Sequence, residues 1–295
     1  MDINCPVCKQ KNINNFRIVS SIYSDRFYRL GTCPDCGHIF LLDPPDKDNL
    51  ERVYKEIYNY QAHLAIEKEK RWRFRRLKQV LGKLVPLDTE ILDIGCGYGD
   101  NLKVLKACGY LDLSGIEVNC LAVDSCRDDG INVFKGEFNQ WLISGGSKAK
   151  NKPACVILSH VLEHVGDLDD FFKGINIFLG RQGRLILLMP NTASTTVRLF
   201  GRYWGWWQPP VHLHHFSKAS VAELLKAKGF KVDRLFTRGA DSLFLLSTIL
   251  SIFRISPSRR IVSALERIII RINSAIFRYW LFAGNEELIV FASKI

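Results

Sequence analysis

From Thr89 onward, short apolar runs alternate with segments in which apolar residues recur every three or four positions. The short runs predict buried strands, and the longer spacing predicts amphipathic helices. The predicted strands are Glu90–Ile94, Asp112–Glu117, Asn132–Phe134, Cys155–Ser159, Arg184–Met189, Lys231–Phe236 and Glu287–Ala292. Strands that alternate with helices form a parallel α/β sheet, so a ligand is expected beyond the carboxyl ends of these strands.

A different pattern precedes this α/β region. A proline-rich break, LLDPPD at Leu41–Asp46, ends an N-terminal module at residues 1–45. Residues 46–85 then predict linker helices, among them a basic stretch at Glu67–Lys83 with apolar residues at helical spacing. Its excess of lysine and arginine favours a solvated helix face, and a track for nucleic acid is the alternative.

After an α/β domain at residues 86–239, an amphipathic helical insertion is predicted at 240–283, before a final strand in 284–295. From Pro257 the insertion has a narrow arginine-rich stripe and a wide apolar face, and the run SLFLLSTILSIF precedes it. This is more apolar surface than a small insertion can bury by itself. It can lie at a membrane interface, cover its own domain, or form a homodimer.

The composition, 47% hydrophobic and 24% charged over 295 residues, is that of one large or two smaller globular domains. The net charge of +11 is compatible with binding to nucleic acid, with binding to an anionic membrane surface, or with a role in solubility alone. No signal-peptide pattern is visible in the opening MDINCPVC, and no uninterrupted apolar run approaches the ~20 residues of a membrane span. We therefore expect a cytoplasmic protein, with peripheral membrane contact through residues 240–283 as a further option.

Nine cysteines, odd in number and partly clustered, indicate metal ligands and free thiols in a reducing compartment. Two C-x-x-C pairs stand about 25 residues apart, a spacing that lets four thiolates reach one tetrahedral Zn²⁺. The predicted zinc ligands are Cys5, Cys8, Cys33 and Cys36. Four cysteine ligands leave no open position for a catalytic water, so the zinc is expected to be structural. A redox dithiol needs only one such pair, and docking of nucleic acid or protein is a further option for the module.

The segment LDIGCGYGD at Leu92–Asp100 follows the first α/β strand. Its alternating glycines, Gly95, Gly97 and Gly99, suit a sharp strand-to-helix turn that a ligand approaches closely. The helix start offers N–H groups to an anion, and Asp93 offers the opposite charge. A ligand with both a carboxylate and an ammonium group, such as the methionine part of S-adenosylmethionine (SAM), suits both features. A plain strand–helix turn is the alternative, and the G-x-G-x-x-G pattern for NAD is not matched.

This segment resembles motif I of the Rossmann-like SAM-dependent methyltransferases. The resemblance implies a seven-stranded Rossmann-like methyltransferase sheet, here with an N-terminal zinc ribbon and the C-terminal insertion. It implies SAM binding along the motif and at Glu117, which fits the acidic residue due about 20 positions later for the ribose hydroxyls. In GEFNQW, Glu137 and Phe138 match positions that meet adenine, although Phe138 in the core is an equal alternative. The cofactor residues predicted in full are Asp93, Gly95, Cys96, Gly97, Gly99, Glu117, Glu137, Phe138 and Ser159.

The segment SHVLEHV at Ser159–Val165 resembles the EVLEHV stretch of small-molecule methyltransferases, including ubiquinone-pathway O-methyltransferases and zinc-containing sugar methyltransferases. His160 stands where those enzymes often have glutamate. On a helical turn, His160, Glu163 and His164 share one face. Three roles are open: His160 as a general base, a divalent cation held by all three residues, or hydrogen bonds from Glu163 and His164 to a neighbouring helix.

The aromatic-rich segment RLFGRYWGWWQPPVHLHHFS follows the fifth strand. Tyr203, Trp204, Trp206 and Trp207 predict either an apolar wall for the acceptor or packing against the sheet edge. VHLHHFS resembles the PRHLYHFS signature of zinc-ribbon methyltransferases that act on sugars and related metabolites. The resemblance implies that His212 and His215 face the site, where an imidazole suits general-base work, and that His214 is structural.

These features predict a SAM-dependent methyltransferase with a small acceptor, which is a sugar, a lipid-linked glycan or a quinol-like compound. O-methylation with His160 or His212 as base is expected, with C-methylation open and N-methylation disfavoured because an NPPY-like motif is missing. The alternative is an RNA or protein methyltransferase that docks through the zinc ribbon and basic helix, with binding that falls steeply with salt. A scaffold without catalysis is a third hypothesis, which the undamaged motif I argues against.

Overall fold

The computed structural model describes residues 3–45 except 12, 14 and 22–25, residue 53, and residues 85–146, 154–180, 183–239 and 285–295. The predicted linker helices with the basic stretch, and the amphipathic insertion at 240–283, lie outside the described residues apart from Val53. Membrane contact and dimer formation through the insertion therefore stay predictions. Within the described residues, none of the helices combines the length and hydropathy that a bilayer crossing needs.

Eleven strands are described along the chain. They are β1 (Asn15–Ser20), β2 (Phe27–Thr32), β3 (Ile39–Leu41), β4 (Glu90–Ile94), β5 (Leu113–Glu117), β6 (Val133–Lys135), β7 (Ala154–Ser159), β8 (Arg184–Pro190), β9 (His214–His215), β10 (Phe230–Arg238) and β11 (Glu287–Lys294). The α-helices are α1 (Asp100–Ala107), α2 (Cys120–Asp128), α3 (Phe138–Ile143), α4 (Leu168–Leu179), α5 (Thr195–Phe200) and α6 (Lys218–Ala227). Short 3₁₀ turns lie at Leu162–His164 and Gly201–Tyr203.

Seven strands form one sheet in the order β10-β11-β8-β7-β4-β5-β6. Only β11 runs antiparallel to its neighbours, and all seven predicted strands are confirmed to within two residues at each end. The prediction succeeds because helices cover both faces of a parallel sheet, so its strands are nearly continuous apolar runs. Every residue of β4 is buried.

Alternate residues of these strands pack into two separate hydrophobic cores, one on each face of the sheet. Val156 and Leu158 point to the face that holds Phe172 of α4, whereas Cys155 and Ile157 point to the face that holds Tyr110. This is the two-residue period of a strand buried on both sides. The sheet is therefore buried on both faces, and the loops beyond its carboxyl edge carry the polar side chains described below.

The N-terminal residues form a second, antiparallel sheet in the order β1-β2-β3-β9. Its last strand comes from far along the chain, since Phe40 pairs with His214 and Ile39 with His215. The sheet shares a buried cluster with Trp204 and Trp207 of the aromatic segment. The N-terminal module thus packs directly on the loops at the edge of the α/β sheet, which the sequence pattern did not predict.

Candidate active site

The turn between β4 and α1 has the backbone that its glycines allow. Gly95 and Gly97 have φ angles of +68° and +53°, in the left-handed region that other residues rarely adopt. A Cβ on Gly95 would lie 2.6 Å from Cγ2 of Val161, whereas one on Gly97 would meet no atom within 4 Å. Gly95 is thus fixed by packing against the loop after β7, and Gly97 borders open space.

Gly95→Ala is expected to destabilise the fold by roughly 2 kcal/mol or more, because left-handed backbone strain adds to the clash with Val161. Gly166→Ala is the matched control, since a Cβ there meets nothing within 4 Å. Urea unfolding of both variants measures the difference. Equal stability of the two variants would show that the turn is not held in this conformation.

Asp93 lies at the end of β4, just before this turn, and is fully buried. Its Oδ2 accepts a hydrogen bond from Asn101 Nδ2 at 3.1 Å, while its Oδ1 has no hydrogen-bond partner. Burial raises the pKa of Asp93 to about 7, although the hydrogen bond from Asn101 acts in the opposite direction. A buried acceptor without a partner is costly, so the site suits a ligand with a cationic donor.

Glu117, at the end of the adjacent strand β5, is held against the same turn. Its Oε2 accepts the N–H of Gly97 at 2.8 Å, and its Oε1 accepts the N–H groups of Val118 and Asn119, both at 2.8 Å. The carboxylate is therefore oriented before any ligand arrives. Asp93 and Glu117 lie at the same edge of the sheet because β4 and β5 are parallel neighbours, and the carboxyl ends of parallel strands share one edge.

The other predicted cofactor residues take varied positions. Cys96 is buried, with its N–H donated to the Ile116 carbonyl at 3.1 Å, and Ser159 is half-buried at the end of β7. Glu137 is exposed and caps α3. The ring of Phe138 packs in the core 5.5 Å from that of Phe171, as the packing alternative expects, so its contact with adenine stays a prediction.

His160 links two carboxylates beyond β7. Its Nδ1 lies 3.2 Å from Oε1 of Glu163 and its Nε2 lies 2.8 Å from Oε1 of Glu287. Burial alone would lower the pKa of His160, but the two hydrogen bonds and the carboxylate charges outweigh it and raise the pKa to about 9. A protonated ring that donates from both nitrogens has no lone pair for a hydroxyl proton. This geometry favours an orienting role over the predicted general-base role.

A small cavity opens beside His160. Its lining consists of His160, Pro190, Trp206, Arg238, Gly239, Glu286 and Glu287. Glu287 forms an ion pair with Arg238, and Glu286 accepts a hydrogen bond from Trp204 Nε1 at 3.0 Å. The cavity therefore offers a mixed aromatic and charged surface next to the carboxyl end of β7.

Sequence reasoning missed Glu286, Glu287 and Arg238. The signal was present, because Glu286 and Glu287 stand directly before the apolar run at residues 288–292. As β11 is antiparallel, its first residue lies at the edge where its parallel neighbours end, and Glu287 pairs with Pro190 in the sheet. Acidic residues at the start of the antiparallel strand thus belong to the same edge as the motifs that follow parallel strands.

The aromatic segment divides between the two predicted roles. Trp204 and Trp207 are each only 1% exposed and pack in the cluster under the N-terminal sheet. Trp206 lines the cavity, with its ring centroid 5.2 Å from that of His160 and the two planes nearly parallel. Trp206 alone of the three tryptophans lines this cavity, so it alone fits the predicted role as a wall for the acceptor.

The three histidines of VHLHHFS are all buried. Nδ1 of His212 donates to the Trp206 carbonyl at 2.8 Å, and the ring of His215 meets Trp207 edge-on at 4.9 Å. Neither side chain lines the cavity, so their roles as bases stay predictions. His214 has the structural surroundings that were expected, since its Nδ1 lies 3.2 Å from His38 Nε2 of the N-terminal module.

The predicted cation site at His160, Glu163 and His164 is not the cluster that the structure forms. Both nitrogens of His160 are engaged by carboxylates instead. The ligand atoms that come together belong to Glu163, His164 and His212. A 3₁₀ turn at Leu162–His164 stands in place of the expected helical turn, and His160 contacts Glu163 there across three residues.

The four cysteines of the N-terminal module converge. Sγ of Cys5 lies 3.6 Å from Sγ of Cys36, and Sγ of Cys8 lies 3.5 Å from Sγ of Cys33. Four sulfurs about 2.3 Å from a tetrahedral zinc ion lie about 3.8 Å apart. The cluster therefore fits the size and the donor set of a structural zinc site.

A family model described as a methyltransferase domain matches residues 67–235. The chain belongs to this family. The glycine turn, Asp93 and Glu117, which the sequence predicts as SAM-binding residues, lie inside the matched region. The cysteine cluster and β3, the strand that pairs with β9, both lie before the matched region.

Solved structures show the same fold at low identity. A SAM-dependent methyltransferase from Thermotoga maritima is 17% identical, with 83% of this chain and 98% of that protein covered and a TM-score of 0.50. A protein described as a sarcosine dimethylglycine methyltransferase, from Galdieria sulphuraria, is 14% identical, with 75% and 85% covered and a TM-score of 0.51. A search of curated proteins finds no match to this sequence. The methyltransferase fold is thus shown, and the acceptor is not.

The raised pKa of Asp93 predicts a pH dependence for SAM binding at this carboxylate. Below about pH 7 the free enzyme holds a proton on Asp93, and this proton must leave before the carboxylate can pair with the ammonium group of SAM. The affinity is therefore expected to fall about tenfold for each pH unit below 7, with proton release on binding. Calorimetry in buffers of different ionisation enthalpy checks this. A flat profile from pH 5.5 to 8 would contradict it.

Proposed function

We propose that this methyltransferase transfers a methyl group to a hydroxyl of a small acceptor, which is a sugar, a lipid-linked glycan or a quinol-like compound. The observation that carries the proposal is the lining of the cavity beside β7. Trp206, whose ring stacks on that of His160, contributes an aromatic surface, while Glu287, Glu286 and Arg238 line the same cavity with polar groups. An aromatic face beside charged groups suits such a ring with polar substituents.

In this proposal Glu287 accepts the hydroxyl proton. The O–H bond becomes strongly acidic as the oxygen gains the methyl group, so a carboxylate within reach is a sufficient base. His160 donates to Oε1 of Glu287, and Arg238 pairs with the same side chain. Both therefore orient the carboxylate, and SAM, when bound, supplies the methyl group. The chain's task is to position the acceptor and to exclude water.

Glu287→Gln is expected to lower kcat by about 10²–10⁴-fold, because the amide keeps the shape but cannot take the proton. The affinity for SAM is expected to stay unchanged, since Asp93 and Glu117 are untouched. Glu223→Gln on α6 is the matched control, as Glu223 is exposed. A fall in SAM affinity with unchanged kcat would place Glu287 in cofactor binding instead.

The zinc ribbon is the second part of the proposal. We infer that Cys5, Cys8, Cys33 and Cys36 hold a structural Zn²⁺, which is supported by the fit of their four sulfurs. The ion would stabilise a module too small to form a sufficient core. Because β9 belongs to the sheet of this module, zinc would also help to hold the loop that carries Trp206.

The acceptor class is tested with methyl-labelled SAM and a cell lysate. Purified enzyme is incubated with both, and the lipid, small-molecule, RNA and protein fractions are separated. Label that appears in the small-molecule or lipid fraction and disappears with Asp93→Asn supports the proposal. Label in a lipid fraction would also support a membrane role for residues 240–283.

Label in RNA or protein would overturn the proposal and favour docking through the zinc ribbon and the basic stretch. That outcome would be accompanied by binding that falls steeply with salt. Labelling that persists equally in Asp93→Asn would indicate a contaminating activity or a different SAM site, and would also count against the proposal.

A further inference from the structure

Three ligand-bearing side chains meet outside both the SAM site and the cysteine cluster. Glu163, His164 and His212 each present one ligand atom, and these atoms lie within 4.8 Å of one another. We propose that they bind a divalent first-row transition-metal ion, in addition to the zinc of the four cysteines. This inference does not depend on the identity of the acceptor.

The backbone holds the two halves of this cluster together. Glu163 and His164 belong to the 3₁₀ turn after β7, and His212 belongs to the loop before β9. The N–H of Leu213 donates to the carbonyl of Glu163 at 2.7 Å. Leu213 directly follows His212, so this bond holds the backbone of His212 beside that of Glu163. The backbone therefore brings the two side chains together.

Both histidines are oriented as metal ligands usually are. Nδ1 of His164 donates to the Val211 carbonyl at 2.9 Å, and Nδ1 of His212 donates to the Trp206 carbonyl at 2.8 Å. A carbonyl can only accept, so each Nδ1 holds the proton and a neutral ring carries its lone pair on Nε2. A backbone carbonyl on the far nitrogen is the usual second contact of a ligating histidine.

One oxygen of Glu163 gives a second, independent indication that a cation binds here. The residue is only 1% exposed, and its Oε1 is 3.2 Å from His160 Nδ1. Its Oε2 is buried without a hydrogen-bond partner. Buried carboxylate oxygens are almost always satisfied, and an unsatisfied one calls for an explanation such as an ion. A metal between Oε2 and the two imidazoles would provide its partner.

The donor set selects the kind of ion. Two imidazoles with one carboxylate favour zinc, iron, cobalt or nickel over magnesium and calcium, which prefer oxygen ligands alone. Ligands at about 2.0–2.2 Å from such an ion lie about 3.5 Å apart, so modest side-chain movement closes the cluster. The ion would fix one oxygen of Glu163 while the other positions His160, which in turn contacts Glu287.

The test is metal stoichiometry and the spectrum of the cobalt-substituted protein. The full chain is expected to bind two equivalents of zinc after dialysis, as measured by mass spectrometry of the metal. With Co²⁺, one equivalent should show thiolate-to-cobalt charge-transfer bands and the other only weaker d–d bands of a nitrogen and oxygen site. His212→Asn and His164→Asn should each lose the second equivalent and its bands.

Asparagine is the informative replacement, because its amide can still donate near the position of Nδ1 while the Nε2 ligand is removed. His214→Asn, in the same loop but outside the cluster, is the matched control and should keep both equivalents. The proposal is overturned if the wild-type chain binds one equivalent with thiolate bands only. It is also overturned if both cluster variants, shown to be folded by circular dichroism, retain two.

Discussion

Replacing Asp93 with asparagine is expected to weaken SAM binding by about 100-fold at pH 8. At this pH the wild-type carboxylate is ionised, since its pKa is raised to about 7. Loss of one partner of a buried charge pair costs about 3 kcal/mol, which corresponds to roughly two powers of ten in Kd. Titration calorimetry measures the change, and the side-chain volume is preserved, so the fold should hold.

Asp124→Asn is the matched control for this loss of charge. Asp124 is exposed on α2, and its replacement should leave the affinity within twofold of wild type. The pH dependence described above should also disappear in Asp93→Asn and persist in Asp124→Asn. A Kd for Asp93→Asn close to the wild-type value would mean that the ammonium group of SAM lies elsewhere.

Removal of the zinc that we propose at the four cysteines is expected to unfold the N-terminal sheet and to abolish methyl transfer. Structural zinc contributes about 10–16 kcal/mol in small zinc-dependent peptides, far more than a module of this size gains from its own core. The loss should spread to β9, because the N–H of Leu41 bonds to the Leu213 carbonyl at 2.9 Å. Hydrogen exchange should therefore speed up at Leu41 and at residues 211–216 together.

Two comparisons make this result specific. Cys33→Ser should reproduce the effect of a chelator, whereas Cys120→Ser should not, because Cys120 is an exposed thiol on α2. Added zinc should restore the chelated wild-type chain but not Cys33→Ser. Unchanged protection at Leu41 after complete loss of zinc would show that the sheet stands without the metal.

The α/β sheet was predictable because its strands are short apolar runs that can be recognised in the sequence. The turn after β4 was also predictable, since glycine adopts its left-handed backbone far more readily than other residues and an acidic residue precedes it. These features are local, so a window of about ten residues contains all the information. The cysteine pairs were predictable for another reason, because two C-x-x-C pairs match a known zinc-ligand pattern even at a separation of about 25 residues, and their sulfurs do converge.

The surroundings of His160 were not predictable in the same way. Its role depends on Glu287, which lies more than a hundred residues away and reaches the site only because β11 is antiparallel. Likewise, the ligand atoms of Glu163 and His164 meet that of His212, which lies almost fifty residues further along the chain. Contacts between distant segments decide these sites, and hydrophobic periodicity contains no information about them.

The pairing of β3 with β9 has a consequence for how the chain folds during synthesis. A ribosome releases the cysteine pairs and β1–β3 first, but the edge of β3 at Phe40 has no partner until His214 emerges. Contacts of such long sequence separation form late and slowly. The nascent N-terminal module must therefore exist for most of translation with an open strand edge, and it closes only when the loop that carries Trp206 has been made.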